Sequence, residues 1–127
     1  MSSPAPGSPA NDHGRIVAFS RDVFFGMRVR TVLRQIGYDL ALVKSEAEAR
    51  DAVAAAETHL LLVDFNQPVT WADLATVLQG ETPVLAFGSH TDVEGFRAAK
   101  DAGVRRVVSN GEFSRRLPEL IAQYRRS

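Results

Sequence analysis

Cysteine is absent from this chain, which excludes disulfides, thiolate metal sites and thiol nucleophiles at once. Histidine is nearly as scarce, and His13, His59 and His90 are too scattered for a structural zinc site. Net charge is missing too: fifteen Lys and Arg balance fifteen Asp and Glu, leaving no overall field to draw the chain onto nucleic acid or an acidic membrane. Apolar runs such as 52–56 and 60–63 fall far short of the ~20 residues that span a bilayer. No basic-then-apolar leader opens the sequence, so the expected location is cytoplasmic. A nucleophile–base pair, a metal cluster and a nucleotide-binding glycine loop are all lacking, which makes an enzyme the least expected class.

What is present reads as one folded unit. The 127 residues are 45% apolar, enough for one sizeable core and too few for two. Three Pro, three Ser and two Gly crowd positions 1–14, where little can be buried to offset the entropy of ordering, so a disordered tail is expected there. From Arg15 onward, short β-branched runs alternate five times with amphipathic stretches, the pattern of β-then-α units around a parallel sheet, and 15–127 form one expected domain.

The expected strands are 15–20, 39–44, 59–65, 83–88 and 104–109. Leu60, Leu61, Leu62 and Val63 are continuous rather than alternating, as a central strand covered on both faces should be. Phe25, Val29, Val32, Leu33 and Ile36 line one face of the first helix, and Gly37 stops it. Ser45 with Glu48 predicts a capping box for the second helix, which should run to about Glu57. Thr70 with Asp73 predicts a weaker start for the third, Thr91 with Glu94 a start for the fourth, and Gly103 its end. Ser114 is the expected cap of the fifth helix, placing Pro118 near its first turn.

In an open parallel sheet, ligands bind beyond the carboxyl ends of the strands. Those positions hold Ser20, Arg21 and Asp22 after strand one, the segment from Asp64 to Pro68 after strand three, Gly88, Ser89 and His90 after strand four, and Asn110 and Gly111 after strand five. Asp64 is the one carboxylate at the end of a central strand. The Asp64-Phe65-Asn66-Gln67-Pro68 segment, Pro83 opening strand four and the run from Ala98 to Gly103 before strand five resemble the receiver domain of two-component response regulators over roughly 15–124.

The resemblance implies a flavodoxin-like, doubly wound α/β fold: a five-stranded parallel sheet in order 2-1-3-4-5 with helices on both faces. It also implies four chemical parts. Asp64 takes the phosphoacceptor position, an acidic pair after strand one helps hold Mg²⁺, a Thr or Ser after strand four follows the phosphoryl group, and a Lys after strand five neutralises it. A trianionic phosphoryl beside a carboxylate needs such cations to offset its charge. This chain departs at three of these places. Ser20 and Arg21 stand where the acidic pair belongs, Gly88 where the hydroxyl belongs with Ser89 one residue on, and Asn110 where the Lys belongs. Asp64 and Asn66 remain in a degenerate pocket. No cofactor is expected, and Mg²⁺ only if Asp64 does accept phosphate. Arg21 is expected beside Asp64 in a charge-assisted hydrogen bond that replaces the metal. A one-residue slip would instead make Asp22 a lone acidic ligand.

No output domain is expected beyond the fifth helix. The leading expectation is therefore a stand-alone, atypical receiver-like signalling module that acts through protein contacts, independently of phosphorylation. One alternative is a functional phosphoacceptor response regulator modified on Asp64 in a phosphorelay. Another is a small anionic-ligand binder using the Ser109-Asn110-Gly111 turn near Arg115 or Arg116. The expected partner is a histidine kinase, a separate output protein or a second copy, not a specific nucleic acid or a membrane. Residues 97–127 hold eight Lys or Arg against three acidic residues. The resemblance implies contacts through the fourth helix, fifth strand and fifth helix, so Arg105, Arg106, Arg115 and Arg116 form a candidate partner face. A solvated surface is the competing reading of those arginines. His90 reads as a solvated loop residue, and Trp71 as either an exposed anchor or a buried one.

Overall fold

The computed structural model describes residues 14–124, so most of the expected tail and the last three residues, with two of the eight Lys and Arg counted over 97–127, lie outside the described residues. Gly14 belongs to the fold, because it opens the first strand. In chain order the elements are β1 (Gly14–Phe19), α1 (Val23–Gln35), β2 (Tyr38–Val43), α2 (Glu46–Ala55), β3 (Leu60–Asp64), a 3-10 turn (Trp71–Leu74) leading into α3 (Ala75–Leu78), β4 (Val84–Gly88), α4 (Val93–Asp101), β5 (Arg106–Ser109) and α5 (Asn110–Ala122). All strand pairs are parallel, in the order β2-β1-β3-β4-β5.

Every residue of β3 and β4 is buried, as continuous apolar runs require. The pleat then divides the core. Leu60 and Leu62 pack with Ile16, Val29, Leu33 and Leu120 on one face, while Leu61 and Val63 pack with Val17, Phe19, Leu74 and Ala99 on the other. On the first face the rings of Phe25, Phe87 and Phe113 stack in series, with centroids 5.1 and 4.1 Å apart, and join α1, β4 and α5 directly beneath the carboxyl edge of the sheet.

The local signals place most ends and misplace some. Ser45 caps α2 by accepting from the Glu48 N–H (3.1 Å), although Glu48 takes the Lys44 N–H rather than that of Ser45. That helix stops at Ala55, short of Glu57, where the Arg15 guanidinium reaches the carbonyls of Ala52 and Ala56. Gly37 and Gly103 follow α1 and α4 with φ of 92° and 105°, a region other residues avoid. Thr70 makes no side-chain cap, and its backbone N–H goes to Glu46 (2.7 Å).

Two expected caps are corrected. Asp92, not Thr91, caps α4 and accepts from the Gly95 N–H (2.9 Å); the carboxylate is the stronger acceptor, and Thr91 pairs with Ser89 instead. Ser109, not Ser114, caps α5 by accepting from the Glu112 N–H (3.1 Å). The helix therefore begins before Pro118 can disturb it. The break falls at Arg116, with φ −121° and ψ 20°, because Pro118 has no N–H for the Ser114 carbonyl and its ring crowds that oxygen.

Candidate functional site

Parallel strands all end at one rim, so the tips of β1, β3, β4 and β5 meet there. Asp64, the last residue of the central strand, is 5% exposed. A carboxylate so placed must be hydrogen-bonded, and both of its oxygens are. Ser20, fully buried at the end of β1, donates its hydroxyl to Oδ2 (2.7 Å). Asn66 donates its backbone N–H and its Nδ2 to Oδ1, each at 2.8 Å.

The network runs on in both directions. Ser20 Oγ also accepts from the Asp22 N–H (3.1 Å), and Asp22 caps α1 by accepting from the Phe25 N–H (3.1 Å). On the other side, the amides of Asn66 and Asn110 exchange a pair of hydrogen bonds, 2.9 Å each way. The two Nδ2 hydrogens of Asn66 are thus both used, one on Asp64 and one on Asn110. Ser20, Asp64, Asn66 and Asn110 form one chain of contacts across the ends of β1, β3 and β5.

Above this chain lies a cavity of about 340 Å³ lined by Asp22, Phe25, Arg28, Asp64, Asn66, Phe87, Asn110, Phe113 and Ser114. Sequence reasoning missed Arg28. Its signal was the helical spacing Asp22, Phe25, Arg28, which turns every third position of the first turns toward the same rim.

Arg21 is not beside Asp64. Its Nε donates to the Lys44 carbonyl (3.1 Å), its backbone N–H donates to Gln67 Oε1 (2.7 Å), and its guanidinium carbon lies 5.9 Å from the centre of the Phe19 ring. Alternation explains the error: Ser20 and Asp64 continue the sheet face of Ala18 and Leu62, so the next side chain, Arg21, falls on the opposite face with Phe19. A neutral hydroxyl, not a guanidinium, takes the place next to the carboxylate.

Gly88 ends β4, and the Phe65 ring covers it. Ser89 sits outside the cavity lining and pairs its hydroxyl with Thr91 (2.8 Å). His90 is exposed, and Trp71 is half-buried against the α2–α4 side of the core.

The donor set does not fit the divalent cation that the receiver resemblance implies. One carboxylate stands where three would be needed, its oxygens already accept three hydrogen bonds, and Asp22 is committed to its helix cap. Among the described residues no group of three His, Asp or Glu is placed to hold a metal ion.

The C-terminal arginines divide in two. Arg106 lies 3.6 Å from Glu112 and donates to Gln123 (3.0 Å), and Arg116 pairs with Glu112 (2.7 Å) and Glu119 (3.2 Å). Arg105 and Arg115 are exposed and make no ion pair among the described residues. Half of the expected basic face, Arg106 of β5 and Arg116 of α5, is thus paired with the glutamates of α5.

No family model matches this sequence, and neither does any curated protein. Solved structures do match. The signal receiver domain of an HD domain-containing protein from Pseudomonas fluorescens Pf-5 superposes with a TM-score of 0.74 at 17% identity, covering 97% of this chain and 90% of that one. The chemotaxis response regulator CheY4 of Vibrio cholerae gives 0.72 at 18% identity, over 87% and 97%. The receiver domain of a signal transduction histidine kinase from Syntrophus aciditrophicus gives 0.74 at 17%, over 87% and 89%. The chain has the fold of response-regulator receiver domains, with the strand order that fold requires. Among the described residues no helix is long and apolar enough to cross a membrane.

Proposed function

We propose that this protein is an atypical receiver-like signalling module that works through protein contacts, with Asp64 retained as a structural carboxylate and not as a phosphoryl acceptor. The observation that carries the reading is the holding of both Asp64 oxygens by Ser20 and Asn66, in a rim where the acidic pair, the hydroxyl and the lysine of phosphotransfer are replaced by Ser20 with Arg21, Gly88 and Asn110. Attack on a phosphoryl donor would have to come from a carboxylate already held by three hydrogen bonds, without the metal ion and the lysine that the resemblance implies, and Arg28 is the one cation among the described residues lining the cavity.

Contact with another protein is supported by α1. Val23, Phe24 and Met27 are 53%, 75% and 60% exposed at its amino end, beside the cavity, and the helix carries Arg28, Arg30 and Arg34 with no acidic residue. Clustered exposed apolar side chains of this size favour a binding role over simple solvation. A partner presenting apolar and acidic groups would suit this face better than a second copy, whose arginines would repel it.

The test is incubation with acetyl phosphate and Mg²⁺, read by intact mass, with Asp64→Ala as control. The expected spectrum is unmodified protein. Stoichiometric modification that disappears in Asp64→Ala would establish a working phosphoacceptor in a phosphorelay instead.

The cavity favours a second reading, binding of a small ligand. Its volume lies within the range of small-molecule sites, and Arg28, Asn110 and Ser114 bring hydrogen-bond donors to one mouth. Asp22 and Asp64 on the same wall oppose a strongly anionic ligand, so a thermal-shift series of phosphate, nucleotides and uncharged amides separates the possibilities.

A further inference from the structure

Phe65 follows Asp64 directly, is 6% exposed, and donates its backbone N–H to the Phe87 carbonyl (2.9 Å), extending the β3–β4 pairing by one residue. Its ring lies across the end of β4. A β-carbon at Gly88 would fall 2.3, 2.5 and 2.7 Å from Cε1, Cδ1 and Cζ of that ring. One at Gly95 in α4 would fall 2.7 Å from Cδ1, as well as 2.3 Å from Asp92 Oδ2. Carbon atoms pack at about 3.5–4.0 Å, so neither position can carry a side chain while the ring is there.

Neither glycine has a positive φ; among the described residues that conformation belongs to Gly14, Gly37 and Gly103. Backbone freedom is therefore not what positions 88 and 95 need. They need the absence of a side chain. Phe96 completes the enclosure from α4, meeting the Phe65 ring edge-on at 5.2 Å and 86°.

We infer that Phe65 is a wedge that fixes the junction between β4 and α4 in one arrangement, and that it does so by occupying the space a side chain at position 88 would fill. The ring belongs to the residue next to Asp64, so lifting α4 from its seat would uncover a ring anchored at the end of β3 that Gly95 and Phe96 now cover. The rim of the sheet and the start of α4 then behave as a single body. This goes beyond the proposed function and does not depend on it: Asp64 could prove to accept a phosphoryl group and the wedge would stand.

The experiment compares hydrogen exchange in the full chain for the wild type, Phe65→Ala, Gly88→Ala and the double variant, following peptides over 88–99 against those of α1. Removing the ring is expected to speed exchange over 88–99 by about tenfold more than over α1, because the opening is local. Gly88→Ala expels the ring and is expected to do the same. Added to Phe65→Ala, it should change exchange by no more than about twofold, since the clash no longer exists. Wild-type exchange in Gly88→Ala, equal acceleration by Gly88→Ala in both backgrounds, or uniform acceleration of every peptide in Phe65→Ala would each overturn the wedge. Should Phe65→Ala fail to fold, Phe65→Val, which keeps an apolar side chain but has no δ-, ε- or ζ-carbon to meet position 88, takes its place under the same criteria.

Discussion

Replacing Ser20 with alanine removes one hydroxyl from the end of β1, and the structure says what that costs. Ser20 is fully buried and its partner Asp64 is 5% exposed, so water replaces the lost donor at Oδ2 poorly. A hydrogen bond to a charged group contributes about 1.5–3 kcal/mol, and the Asp22 N–H loses its acceptor in the same step. The expected loss is about 2–3 kcal/mol. For a domain of this size that lowers Tm by roughly 8–12 °C. Asp64→Ala should cost a similar amount. The double variant should cost much less than the two together, because each single change already breaks the same bond. Thermal melts and urea titrations of the four proteins measure this coupling. A loss below about 0.5 kcal/mol for Ser20→Ala, or strict additivity with Asp64→Ala, would refute the claim that the carboxylate is held by this hydroxyl.

Other expectations follow from the same rim and its surroundings. Ser20→Asp restores an acid beside Asp64: its Tm should fall in the absence of divalent cations and recover with millimolar Mg²⁺, while the wild type stays indifferent to Mg²⁺. Ser109→Ala should cost about 1 kcal/mol as a lost helix cap, whereas Ser114→Ala in the exposed second turn should stay within about 0.5 kcal/mol. Burial raises the Tyr124 hydroxyl above its ordinary pKa, with Arg106 pulling the other way. Its contribution to stability is therefore complete below about pH 10 and is lost as pH rises through the higher folded value, and Tyr124→Phe should flatten the alkaline arm of the stability curve.

The fold was legible because its signals are redundant. The uninterrupted run Leu60 to Val63 announces a strand covered on both faces, and Gly37 and Gly103 mark helix ends whose backbone demands them. Asp64 could be found by the same logic, as the carboxylate at the tip of that strand. What escaped was direction. A sequence places Ser20 and Arg21 side by side, and charge alone suggests that the arginine meets the aspartate; the pleat decides otherwise. Arg28 was hidden for the opposite reason, six residues from the rim in sequence and two turns along a helix in space. The displaced cap of α5 reflects a competition between Ser109 and Ser114 that the Arg116 break resolves, and no local pattern encodes that break before Pro118 is placed.

The paired amides of Asn66 and Asn110 carry a consequence for the conditions under which the rim keeps its shape. A lysine in that place would hold the strand tips together by attraction between full charges, a force that dissolved salt weakens and that alkali abolishes. Carboxamides neither titrate in the physiological range nor attract an ion atmosphere. The two bonds between Asn66 and Asn110 therefore hold no charge for acid to remove or salt to screen, and what sensitivity this edge has enters through Asp64, on which Asn66 also rests.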